Sequence, residues 1–174
     1  MGRGWRALVA CLILLPVVGL SAGWLARAGP TWLGLTDAGT GRRIACWLLP
    51  DGEKAVLTWT NSLFRLPVTE VFVAGNGRLT LIEITFGDPT GREPPRVRVE
   101  DVDDLYHTGG PFRAVGLSRP VSRVVFRVGE IGQPALRVGD RIIRFTQEVG
   151  FGGAVLLVAR RAGLRERIAG CGIP

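Results

Sequence analysis

Apolar residues recur at every second position through much of the chain, the spacing of half-buried strands. Lys54–Thr60 sets Ala55, Leu57 and Trp59 on one side and Lys54, Val56, Thr58 and Thr60 on the other. Val68–Val73 and Leu79–Phe86 are further apolar runs, and they flank Gly75-Asn76-Gly77. Asn-Gly between two such runs predicts a β-hairpin, because both central turn residues must take φ > 0. With Asn76 and Gly77 central, Gly75 faces Arg78 and the pairs run outward from there. One face then carries Ala74–Leu79, Phe72–Leu81, Glu70–Glu83 and Val68–Thr85. The other carries Val73–Thr80, Val71–Ile82 and Thr69–Ile84. Two glutamates thus oppose each other beside an apolar pair. Like charges directly opposed in a ladder destabilise it, so this register needs a cation, a shared proton or solvent. The alternatives are arginine partners, or a bulge that shifts the register.

The remaining chain is punctuated in the same way. Ile44–Leu49 reads as a short strand ended by the turn Pro50-Asp51-Gly52. Gly87–Pro95 is a loop, and Arg96–Val99 alternates Arg and Val as an edge strand does. Glu100–Arg119 is the least regular stretch. Val121–Val128, Ala135–Val138, Arg141–Gln147 and Ala154–Ala159 follow as strands, with Gly150, Gly152 and Gly153 breaking the chain before the last. Arg160–Ile168 fits a short basic helix. Seven or eight short strands predict an all-β fold, either a small antiparallel β-sandwich or a partly open barrel. The β domain spans residues 44–161, with a tail at 162–174.

Ahead of it, Ala7–Ala26 is nearly continuous apolar sequence preceded by Arg3 and Arg6. Twenty such residues can span a bilayer core, and the basic flank predicts that the chain beyond the run is exported. Residues 1–28 therefore read as a transmembrane anchor or a signal peptide, cut after Gly23 or Ala28 in the second case. Residues 29–43, rich in Gly and Thr, read as a tether with Trp32 near the membrane surface. The bulk of the chain is expected on the extracytoplasmic, periplasmic side of the cytoplasmic membrane.

At 174 residues the chain fits one domain plus a leader. Residues 1–28 hold three arginines and no acid, so the formal charge of +7 falls to +4 for the exported part. The arginines of that part are scattered, with no basic stripe interleaved with aromatics, which argues against nucleic acid as a partner. Of three cysteines, Cys46 and Cys171 lie in the exported part. An oxidising compartment permits a disulfide between them; two unpaired thiols are the alternative.

The stretch WTNSLFRLPVTEVFV followed by GRLTLIEITF resembles the bacterial domain-of-unknown-function 1850 family. Trp59, Ser62, Pro67, Val68, Glu70, Gly77, Leu79, Leu81 and Glu83 fall on its pattern, within a similarity covering roughly Ile44 to Arg160. Asn61 stands where that family has histidine, so protonation chemistry from that position is missing. The resemblance implies a small extracytoplasmic protein, often encoded beside TRAP transporters of the TAXI type, with no established activity. A TRAP-type membrane transporter or its solute receptor is the implied partner.

Other chemistry finds little footing. His107 is the only histidine, so Ser62 and Ser118 are nucleophile candidates only by elimination and no catalytic residue is assigned. Asp101, Asp103, Asp104 and His107 cluster, but without the glycine and terminal glutamate of an EF-hand loop. No metal and no cofactor is expected. The reading is a binding or accessory module whose site holds Asn61, Ser62, Glu70 and Glu83. The alternatives are an envelope hydrolase using Glu70 and Glu83 as acid and base, or a purely structural envelope protein.

Overall fold

The computed structural model describes residues 29–171, so the expected anchor or signal segment lies outside the described residues. Among the described residues ten strands form two antiparallel sheets. They are β1 (Thr31–Asp37), β2 (Arg43–Leu49), β3 (Lys54–Thr60), β4 (Pro67–Gly75) and β5 (Arg78–Phe86), then β6 (Phe112–Val121), β7 (Arg123–Arg127), β8 (Ala135–Val138), β9 (Arg141–Arg144) and β10 (Ala154–Arg161). The smaller sheet has the order β2-β1-β10-β7 and the larger β6-β5-β4-β3-β8-β9. Among the described residues three short helices accompany them: α1 (Val102–Thr108), α2 (Phe145–Val149) and α3 (Leu164–Ala169). Among the described residues no helix is long and apolar enough to cross a membrane.

The sheets pack face to face as a β-sandwich. Leu33, Leu35, Val155 and Leu157 of the smaller sheet meet Leu57, Phe72, Leu79 and Leu136 of the larger in one apolar core. A second cluster lies beyond it, where Val68, Ile84, Phe86, Phe112 and Leu117 are covered by Val102 of α1. Trp59 and Leu81 pack against both. Phe86 centres the second cluster, stacked on Phe112 with centroids 4.7 Å apart and edge-on to Tyr106 at 5.1 Å.

Three expectations need correction. The first concerns the stretch read as a tether, because Thr31–Asp37 is β1, inside the smaller sheet between β2 and β10. Leu33 and Leu35 are fully buried there. Gly34, which suggests a flexible linker, is instead a packing site. A Cβ on it would collide with the ring of Trp32, which folds back over it. That ring also carries the Arg160 guanidinium 4.2 Å from its centroid, so Trp32 is held by the sheet.

The second concerns the hairpin register. Asn76 and Gly77 take φ of 53° and 74°, as the turn demands. Gly75–Arg78, Ala74–Leu79, Val73–Thr80 and Phe72–Leu81 pair as expected. A bulge then leaves Ile82 without a partner, and the ladder resumes as Val71–Glu83, Glu70–Ile84, Thr69–Thr85 and Val68–Phe86. The extra residue turns Ile84 and Phe86 inward, where both are fully buried. In the unshifted register they would face outward with Glu83 inside. Burying two large apolar side chains contributes about 1.5–3 kcal/mol each, more than the roughly 1 kcal/mol of a disrupted ladder bond.

The third concerns local structure between and after the central strands. Arg96–Val99 makes one isolated bridge, Arg96 to Arg113, followed by a 3₁₀ turn at Val99–Asp101. Glu100–Arg119 holds α1 and most of β6. Val121–Val128 is interrupted at Ser122, and Arg141–Gln147 bends into α2 at Phe145. Cys46 and Cys171 are joined as a disulfide with Cα atoms 5.8 Å apart, tying β2 to the residues after α3.

Candidate functional site

Alternation along β4 points Val68, Glu70, Phe72 and Ala74 to the same inner face. Val68 belongs to the second apolar cluster, and Phe72 and Ala74 to the first. Glu70 therefore occupies the seam between two cores, with fully buried Leu57 and Ile84 as its ladder partners. Burial pushes its carboxyl above the ordinary glutamate range. Two groups oppose that shift. Tyr106 donates its hydroxyl hydrogen to Glu70 Oε1 at 2.9 Å, and the indole of Trp59 also favours the charged form. The indole does not reach hydrogen-bond geometry, and Trp59 Nε1 is a buried nitrogen without a partner among the described residues.

Tyr106 arrives on α1. Val102, Leu105 and Tyr106 share the face that packs on the second cluster, at the three- and four-residue spacing of one helix side. Asp103, Asp104 and His107 face outward. Asp103 and Asp104 in the first turn complement the helix dipole. Gly109 ends the helix at φ 75°, where a Cβ would lie 2.5 Å from the Phe64 ring. Burial, then the charge of Glu70, pushes the Tyr106 hydroxyl well above its ordinary pKa, so it stays a donor.

Tyr106 also lines a cavity of about 320 Å³. Its walls are Leu81, Ile84, Val102 and Leu117, and its polar members are Asp103, Tyr106, His107 and Arg119. Arg119 donates to Asp103 at 2.8 Å across the rim. An apolar pocket with a few convergent polar groups, backed by a buried ionisable residue, is what small-molecule recognition requires. A larger groove of about 540 Å³ runs past Arg144, Gln147 and Phe151, but none of its lining residues bonds Glu70, the buried carboxyl that Tyr106 holds behind the smaller cavity.

The four expected site residues do not converge. Glu83 pairs with Val71, so it points to the face opposite Glu70, where it accepts from Arg113 Nε at 2.9 Å. The paired-acid arrangement is overturned by the Ile82 bulge, and with it the geometry an acid–base hydrolase would use. Asn61 is buried with its Oδ1 accepting from the backbone N–H of Leu63 and Phe64, each at 3.0 Å, so it shapes the β3–β4 loop. Ser62 is exposed on that loop. Of the four, Glu70 is the one hydrogen-bonded, among the described residues, to a side chain that lines the cavity, Tyr106. Asp101 bonds Arg98, and among the described residues no group of three or more His, Cys, Asp or Glu could hold a metal ion.

Tyr106, Leu117 and Arg119 are site residues that the alternation pattern does not single out. The spacing of Val102, Leu105 and Tyr106 is the available signal, within a stretch whose Asp and Gly content obscures it. Comparison with family models, curated proteins and solved structures found no match.

Proposed function

We propose that this chain is an extracytoplasmic binding module, held to the membrane by residues 1–28, that recognises a small, largely apolar molecule bearing one polar group. The observation that carries this reading is the cavity between α1 and the β5–β6 ladder, with Glu70 and Tyr106 hydrogen-bonded behind it. Four apolar walls supply the affinity, while the Arg119 guanidinium, the His107 ring and the Tyr106 hydroxyl orient the polar end. Hydrogen-bonding groups in this pocket discriminate more sharply than its apolar walls do. The resemblance over Leu57–Phe86 and the apolar run at Ala7–Ala26 support an accessory role beside a TRAP-type transporter or its solute receptor.

The test is thermal stability against a panel of small amphiphilic molecules, short-chain and aromatic monocarboxylates included. A ligand at a hundred times its Kd stabilises by about 2.7 kcal/mol, enough to move Tm by several degrees. Leu117→Trp, which fills the cavity, should abolish that shift while leaving the protein folded. A panel that stabilises parent and Leu117→Trp equally would place binding elsewhere.

A further inference from the structure

The end of the molecule where β1 begins carries an apolar and basic face. Helix α3 exposes Leu164 and Ile168 at 73% and 78%, four residues apart and so on one side. Arg165 and Arg167 lie exposed beside them, whereas the one acid, Glu166, is engaged elsewhere. Its carboxylate takes a bidentate pair of bonds from Arg160 and accepts from the backbone N–H of Gly163 at 2.7 Å. That clasp orients the helix and removes its negative charge from the exposed face.

Position gives this face an occupant. Ala162 donates its backbone N–H to the Pro30 carbonyl at 3.0 Å, and Arg167 Nε donates to the Ala162 carbonyl at 3.2 Å. The Arg167 guanidinium lies where a Cβ on Gly29 would sit, so α3 flanks the first described residue of the chain. The apolar run Ala7–Ala26 ends three residues before Gly29. A chain held in a bilayer by that run brings α3 within reach of the lipid headgroups.

We infer that α3 is a membrane-surface contact, with Leu164 and Ile168 entering the interface of an anionic bilayer and Arg165 and Arg167 meeting its headgroup phosphates. It rests on the membrane-held reading of residues 1–28. A short amphipathic helix binds such a surface through buried apolar area plus basic charge, and neither alone suffices. The contact would fix the orientation of the sandwich, turning the opposite end of β10, roughly 25 Å away along eight residues, toward the aqueous side.

The test uses the full-length protein in phosphatidylglycerol-containing bilayers, with Cys11→Ser and a nitroxide on Ile168→Cys or, separately, Phe151→Cys. The label at 168 should collide more with oxygen than with a water-soluble nickel chelate, and the label at 151 should show the reverse. Arg165→Gln should weaken the contact about fivefold, the effect of one basic residue at an anionic surface. A label at 168 as water-exposed as the one at 151, in protein that stays with the bilayer, would overturn the contact and leave the anchor standing. Protein that does not associate with the bilayer would overturn both. Burial of the 168 label that persists in detergent and rises with protein concentration would mean a second copy covers the face, and would also overturn the proposal.

Discussion

Glu70 and Glu83 are thirteen positions apart in one hairpin and have opposite roles. Glu70 is an acid in an apolar seam, and its folded-state pKa is raised by burial. The folded chain therefore holds that proton more tightly than the unfolded one. Its stabilising effect is full below the ordinary value of 4.5 and is lost as pH rises through the raised folded value. Near pH 7, Glu70→Gln should raise stability by about 1 kcal/mol, or roughly 2–4 °C in Tm, and flatten the decline above pH 4.5. Glu83→Gln should do the reverse and lower Tm slightly, since it leaves Arg113 without its partner. Two shifts of the same sign, measured by calorimetry, would contradict the assignment of faces. Tyr106→Phe removes the one hydrogen bond to Glu70 Oε1 and should destabilise by about 1–3 kcal/mol near neutral pH. The carboxyl of Glu70 would then titrate higher still, which a pH series of melting curves detects.

The hairpin turn is the element most legible in the sequence, because Asn-Gly encodes its own φ angles. Gly77 has a further constraint that the sequence did not carry. A Cβ there would lie 2.6 Å from the Arg161 backbone nitrogen, because the hairpin tip abuts the end of β10. Gly77→Val should therefore cost at least about 2 kcal/mol, combining φ strain with that clash. An unchanged urea midpoint would contradict it. Farther from the turn the register was not legible, because a bulge answers to what Ile84 and Phe86 gain inside the sandwich, not to local propensity. The same holds for β1, where Gly34 looks like a linker residue until the Trp32 ring is seen above it. The β3 and β8 boundaries were readable because their alternation is unbroken. Helix α1 was not, since two of its seven residues are aspartates and two glycines follow it.

At the scale of the whole molecule, a disulfide closes a 125-residue separation and ties β2 of the smaller sheet to the residues after α3. Replacing Cys46 and Cys171 together by Ser should cost about 2–4 kcal/mol in protein purified under oxidising conditions. Adding reductant to the parent should reproduce the loss. The seam between the clusters is where a β-sandwich can hold a polar residue without breaking its main core, and the cavity opens from that seam. His107 is the chain's only histidine and lines the edge of the cavity, so its imidazole proton signals are one unambiguous probe beside that space. The most direct measurement follows those signals by NMR while a stabilising monocarboxylate is titrated in. Binding in the cavity predicts a saturable shift of the His107 resonances in the parent and none in Leu117→Trp. Stabilisation by the ligand with the His107 resonances unmoved would contradict the account.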